Sequence, residues 1–400
     1  MRGIFFVLLA VLLAGCADET CEECCRPGQV YTIPLGPEDA TFYVGPYLMH
    51  TTQTTVAVSW ETEADGSTLV EVGRDESYGR QIQGEAGSMH QVVVDGLKPQ
   101  TVYHYRCCTD GVCTGDLTFS TAPKEGYPFR FAVLGDTRTT PANHKTVIDS
   151  IIRSEPILVV NVGDVIEGRE EGDKRDEYKE MHFDPARQLG HYLPMYVAIG
   201  NHEYKELEVA SFIDYMMFPE DPGVPFQEVS YTFTYGDVFF LILDSTLDHF
   251  DLFFPIAETE PPLWLWLNQV VVSEAAQNAR WRFAFFHYAP DSPCYDEYGI
   301  PMTALRNYVI PLLQENGFQA AFAGHVHDYE RQDWEGFTMM ITGGGGAPLE
   351  TKKDCRRNVP ELHHFDVLLH HLTVDVGCEQ TVIRSLDTDD QVFDEIIIDR

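Results

Sequence analysis

The chain has 400 residues, with 63 acidic against 27 basic side chains and a formal net charge of −36. A surface of that sign repels phosphates, so no nucleic-acid backbone binding is expected, although metals that reverse the local charge still admit a small phosphate ester. The 44% hydrophobic content, with 12% aromatics, excludes a disordered acidic chain, and the length predicts two or three domains of about 150 residues each.

Residues 1–15 read as a signal peptide. Met1-Arg2 supplies positive charge, and "IFFVLLAVLLA" is too short to span a membrane. The run ends in "LLAGC", which resembles the lipobox of bacterial lipoproteins and implies cleavage before Cys16 with a lipid on its sulfur. The alternative is an ordinary secretory signal. Both readings export the chain, the first as a lipoprotein at the cell envelope (periplasmic or cell-surface) anchored to the membrane, the second as a secreted protein. Nine further cysteines suit an oxidising compartment. Cys21, Cys24 and Cys25, with Cys107, Cys108 and Cys113, are placed to staple a tether over residues 16–31 to the first domain. Cys294, Cys355 and Cys378 follow, and the odd total leaves at least one unpaired, with the connectivity open. A zinc site is the alternative for the clusters, but their spacings repeat no CxxC…CxxC pattern.

Residues 32–123 predict an all-β sandwich. "TTVAVSWET", "STLVEVGR", "MHQVVVDGL", "TVYHYRCCT" and "GDLTFSTA" are rich in β-branched and aromatic residues, and Asp65-Gly66, Asp95-Gly96 and Asp110-Gly111 punctuate them as turns. "LKPQTVYHYR" resembles a stretch of fibronectin type III-like domains. Trp60, Tyr103 and His104 read as packing residues. "APKEGYP" is the linker.

Residues 124–400 change texture. "FRFAVLGD", "ILVVNVGD", "MYVAIGNHE", "VFFLILDS", "RFAFFHY", "AAFAGHVH" and "TMMITGGGG" are apolar runs of buried strands, alternating with helical stretches such as "PPLWLWLNQVVVSEAA". The strand-like ending from His371 predicts a second sheet packed on the first, giving a two-sheet α/β domain flanked by helices. Asp136, Asp164, Asn201-His202, His287, His325 and His327 stand at the ends of these runs. Carboxyl ends of strands in α/β sheets form the ligand crevice, so residues spread over nearly two hundred positions meet at one edge. His325 and His327, two apart after a strand, are expected to share a face.

Gly135-Asp136, "GDVIEG", "GNHE", His287 with "YAP", and "GHVH" resemble the motifs of the calcineurin-like metallophosphoesterases, and the preceding sandwich resembles that of the purple acid phosphatases. The resemblance implies metal-dependent hydrolysis of a small phosphate ester, a monoester above all, by water activated between two divalent ions (Fe, Mn or Zn). It implies that Asp164 bridges both metals, that Asn201, His287 and His325 complete one site, and that Asp136 and His327 belong to the other. His202 is implied as acid or charge stabiliser at the leaving group, and Glu203 as its orienter. "GGGG" at 343–346 lets the backbone run close beneath the site. His363-His364 and His370-His371 read as structural or surface residues.

Two departures matter. Purple enzymes carry a metal-bound tyrosine three residues after the bridging Asp, where this chain has Glu167. Other members have a histidine two residues after the first Asp, where this chain has Arg138, a candidate phosphate-binding group. One metal site is therefore short of a ligand, with His144, Glu167 or solvent as candidates. A phosphodiesterase acting on cyclic nucleotides or phospholipid head groups is the alternative enzyme, and a surface binding lipoprotein with a vestigial metal core is the alternative outside catalysis.

Overall fold

The computed structural model describes residues 31–34, 39–169, 171–205, 209–216, 229–246, 262–295, 300–353 and 355–400. Cys16, the cysteines at 21, 24 and 25, the stretch "DLFFPIAETE" and residues 296–299 lie outside them. No helix among the described residues is long and apolar enough to cross a membrane.

The first part is β-rich: β1 (Val44–Met49), β2 (Val56–Gly73), β3 (Arg80–Val94), β4 (Val102–Thr109), β5 (Val112–Cys113) and β6 (Leu117–Ser120). Two expected strands fuse into β2, because Asp65-Gly66 does not turn the chain. The strand continues through a register shift on either side of Gly66. A Cβ there would lie 2.4 Å from Thr109 Cγ2, so the glycine serves close approach of two strands. Asp110-Gly111 does turn, with φ of 49° and 81° at the two residues, the backbone of a two-residue hairpin. Trp60 is fully buried and donates to Thr109 Oγ1 at 2.9 Å. Tyr103 stacks on Phe119. His104 points to the other face of β4 and, instead of packing, pairs with Asp116 at 2.8 Å. Cys108 bonds to Cys113 across the hairpin, so this cluster pairs internally rather than with the tether, and Cys107 beside it is buried.

The second part holds two sheets among the described residues. β7 (Phe129–Leu134), β8 (Val159–Asn161) and β9 (Met195–Val197) run parallel, with α1 (Pro141–Arg153) and α2 (Asp184–Tyr192) in their connections. β10 (Tyr231–Tyr235), β11 (Val238–Leu243), β12 (Trp281–Phe286), β13 (Ala320–Ala323), β14 (Tyr329–Trp334), β15 (Phe337–Thr342) and β16 (Leu362–Asp366) form the second sheet, ordered β10-β11-β12-β13-β15-β14-β16. The C-terminal strands β17 (His370–Val376), β18 (Gln380–Asp387) and β19 (Val392–Asp399) do not build a sheet of their own. They extend the first, giving β19-β18-β17-β7-β8-β9, because Leu372 and Val374 pair antiparallel with Val133 and Phe131.

The strands of β11 and β12 are apolar on both faces, as their unbroken runs require. Phe240, Phe285 and Phe322 stack in series and Phe131 meets Phe240 edge to face, with centroids 4.9–5.7 Å apart along the row. Leu241, Leu243 and Phe286 face the opposite way onto helices, including α3 (Pro262–Val270). The expected helix at 261–276 is broken after Val270. Ser273 starts a separate short helix by accepting from Ala276 N, and β-branched Val271 and Val272 occupy the turn between. His370 and His371 are fully buried structural residues; His371 Nε2 meets Ser154 Oγ at 2.9 Å.

Candidate metal centre

Both sheets contribute to one edge. Asp136 follows β7, Asp164 follows β8, and Asn201-His202 follow β9. His287 follows β12, and His325 and His327 follow β13. His325 and His327 are beyond the strand, so strand alternation does not bring them together. A left-handed turn at His325 does, with φ of 69°; Asp136 and Asp164 share that conformation at 55° and 57°. Non-glycine residues held there carry strain that clusters at functional sites.

Backbone bonds lock these turns to each other. Asp136 N donates to Gly163 O at 2.9 Å, and Thr137 N and Arg138 N donate to Asp164 O. His325 N donates to Asp136 Oδ2 at 2.9 Å. The glycine run is packed: Gly345 N donates to Gly135 O at 2.9 Å, and a Cβ on Gly345 would lie 2.2 Å from that oxygen. Glu203 does not orient His202. Its buried carboxylate accepts from the backbone N–H groups of Asp164, Val165, Ile166 and Gly200 at 2.7–3.2 Å, fixing the Asp164 turn against the Asn201 turn. Burial and the neighbouring Asp164 push Glu203 up to about 7, against His287 and the Gly200 and Ile166 N–H donors.

The side chains converge. Asp164 Oδ1 lies 3.2 Å from His287 Nε2, and Asp164 Oδ2 lies 3.7 Å from His202 Nε2. Asn201 Oδ1 is 3.0 Å from both His287 Nε2 and His325 Nδ1. Asp136 Oδ1 is 3.5 Å from His327 Nε2. Asp136, Asp164 and His287 are buried, with ligand atoms within 4.8 Å of one another. His287 Nδ1 is bonded to Val162 O and His327 Nδ1 to Pro348 O, leaving each Nε2 facing the cluster. A carbonyl behind each ring is the arrangement that orients a metal-binding imidazole.

Charge follows the geometry. Burial alone would raise Asp164, but His287, His202 and Arg138 outweigh it and hold the carboxyl well below its usual range. Burial disfavours charge on His287, yet Asp164 holds it up to about 9. His325, buried and beside His287, falls to about 3.

Asp136, Arg138, Asp164, Asn201, His202, His287, His325 and His327, all named from the sequence, are in this cluster. Arg138 Nε donates to Asp164 Oδ2 at 3.2 Å, and its Nη1 donates to Glu167 Oε2 at 2.6 Å. Glu167 is bonded through Oε2 to Arg138 and Thr139, while Oε1 lies 3.9 Å from His202 Nδ1. His144 is buried in α1, with Nδ1 on Met181 O and Nε2 without a partner among the described residues. The sequence reading missed Lys205, whose Nζ is 2.8 Å from His202 Nδ1. It also missed Ser245, whose Oγ accepts from His287 N and Tyr288 N. The strand-end "LILDS" was the available signal for Ser245.

Residues 129–329 match the pattern described as calcineurin-like phosphoesterase, and residues 45–121 match the N-terminal domain of purple acid phosphatase. Purple acid phosphatase 23 of Arabidopsis thaliana is 29% identical over 282 residues, covering 62% of this chain and 58% of that protein. The chain therefore spans less than two thirds of that relative. The solved purple acid phosphatase PPD1 from yellow lupin (Lupinus luteus) seeds superposes with a TM-score of 0.73 at 18% identity, covering 89% of this chain and 74% of the other. A solved structure of PhoD follows at 0.66 and 17%, covering 91% and 90%. These two share the fold. With half of its length inside the first pattern, the chain belongs to the calcineurin-like phosphoesterase family, carrying a purple acid phosphatase N-terminal domain ahead of it.

Proposed function

We propose that the chain is a binuclear metal-dependent phosphoric ester hydrolase acting on small phosphate monoesters. The observation that carries this reading is the convergence of Asp136, Asp164, Asn201, His287, His325 and His327 at one sheet edge, with imidazole nitrogens facing carboxylate and amide oxygens at 3.0–3.5 Å. Such a donor set fits two divalent ions of the Fe, Mn or Zn type. Asp164 would hold both, Asn201, His287 and His325 one, and Asp136 and His327 the other. When bound, the ions supply Lewis acidity to the phosphoryl group and lower the pKa of the attacking water.

The remaining groups are the chain's own. Arg138, with its guanidinium on the rim of the cluster, orients a phosphate oxygen. His202 presents Nε2 to the same space and delivers a proton, or a hydrogen bond, to the departing oxygen. Glu167 holds Arg138 in place through the 2.6 Å bond. With Glu167 at the position of the purple enzymes' tyrosine, the enzyme is colourless and works toward neutral pH. Export, and anchoring through Cys16, rest on the leader sequence alone.

The test is hydrolysis by the metal-loaded chain of matched mono- and diesters across pH, with its visible spectrum recorded. Faster monoester turnover without a visible charge-transfer band is expected. Faster diester turnover would transfer the reading to a phosphodiesterase. Two bound ions with no turnover on either class would leave a binding protein with a vestigial core.

A further inference from the structure

Cys294 and Cys355 form a disulfide joining the loop after His287 to the segment after the glycine run. Asp328 lies beneath it, fully buried, with Oδ2 2.9 Å from Cys294 Sγ and Oδ1 without a partner among the described residues. A disulfide sulfur has no proton to donate, so the contact leaves the carboxyl unsatisfied, which is costly in a buried position. The neighbouring acids are provided for. Glu330 accepts from Ser292 Oγ at 2.5 Å and Gln332 Nε2 at 2.8 Å. Asp291 is paired with Arg306 at 3.1 Å and Arg357 at 3.4 Å. No cationic side chain among the described residues pairs with Asp328, and its acidic neighbours Glu330, Glu350 and Asp136 favour a positive ion.

The sulfurs of Cys294 and Cys355 and an oxygen of Asp328 all lie within 4.8 Å of one another. We propose that these three residues form a second cation site, closed while the disulfide is intact and opened by reduction, which takes one borderline-soft divalent ion of the zinc class. Two thiolates and one carboxylate are three ligands of the kind such an ion prefers, with a fourth position left to water. It shares no residue with the cluster around Asp164, whose nitrogen and oxygen donors carry no thiolate.

The opening step needs a reductant. With a phosphine and water, the phosphorus gives two electrons, the S–S bond breaks, the phosphine takes the water oxygen as its oxide, and the two water protons go to Cys294 and Cys355 sulfurs. Ion binding then sends both thiol protons to solvent.

The experiment titrates cobalt(II) into the full chain before and after phosphine reduction, reading bound cobalt and the sulfur-to-cobalt charge-transfer absorption. Other cysteines are also reduced, so the measured quantity is the difference from Cys294→Ser and from Cys355→Ser treated identically. The reduced native chain should bind one more cobalt than either variant, with a thiolate band the oxidised chain lacks. A Cys108→Ser, Cys113→Ser double variant should keep that extra ion. Asp328→Asn, which leaves the disulfide and its packing in place, should weaken the extra site about tenfold or more once reduced. Equal cobalt in the reduced native chain and the two serine variants overturns the site, as does loss of near-ultraviolet circular dichroism on reduction. Unchanged affinity in Asp328→Asn removes Asp328 from it.

Discussion

Asp164 stands between the halves of the cluster because its two oxygens face different groups. Oδ1 meets His287 and the backbone of His202, while Oδ2 meets Arg138 and His202 Nε2. Asp164→Ala should therefore lose both ions of the proposed centre, whereas His325→Ala, which contacts the cluster through Asn201, should weaken one. Metal analysis decides it: two ions retained in Asp164→Ala would remove its bridging role. His202 sits differently. Burial lowers its pKa, while Asp164 opposes that shift, and its Nδ1 is anchored by Glu167 O at 2.6 Å. His202→Ala should keep both ions and lose roughly 10²–10⁴-fold in rate, most on esters with poor leaving groups. A uniform loss across leaving groups, measured as kcat, would mean that His202 only positions the phosphate.

At the scale of elements, the strand runs were legible because strands buried on both faces carry unbroken apolar sequence, and their ends displayed the metal-type residues. What pairs with what was not legible. β17 joins β7 through contacts between positions some 240 residues apart, which no local pattern encodes. The same limit explains β2: Gly66 looked like a turn, and only the distant Thr109 makes it a close-approach site. The role of Glu203 likewise depends on which turns surround it. The glycine run was legible as a close backbone passage, and its packing gives a prediction. Gly345→Ala places a methyl against Gly135 O and breaks the bond that supports the Asp136 turn. Overpacking of this kind costs about 1–3 kcal/mol. The variant should melt at lower temperature and bind the ion assigned to Asp136 and His327 more weakly than the ion assigned to Asn201, His287 and His325. Equal weakening of both ions would show that the run supports the whole edge rather than one turn.

Across the whole molecule, the charge of −36 and the buried histidines respond to acid in opposite ways. Lower pH relieves repulsion among carboxylates, whereas a histidine held neutral in the core resists the proton that the unfolded chain accepts. His182 isolates the second effect. It is buried in the π-helical turn Lys179–Phe183, Nδ1 has no partner among the described residues, and burial, reinforced by His144, lowers it to about 3. Its unfolded value is about 6.5. Above that pH both states are neutral and the group contributes nothing. Below it the unfolded state binds a proton and the folded state does not, so stability falls by up to about 1.4 kcal/mol per pH unit until the folded group titrates near 3. His182→Leu removes this term while leaving surface repulsion and the other buried acids and histidines common to both proteins. Any change in stability at pH 7.5 through altered packing cancels in a difference between two pH values. Between pH 7.5 and 5.0 the native chain should lose about 2 kcal/mol more unfolding free energy than the variant. Denaturant titrations of both proteins in a chelator, which keeps metal loss out of the comparison, measure it. Parallel losses would mean that His182 takes up its proton in the folded chain well above pH 3.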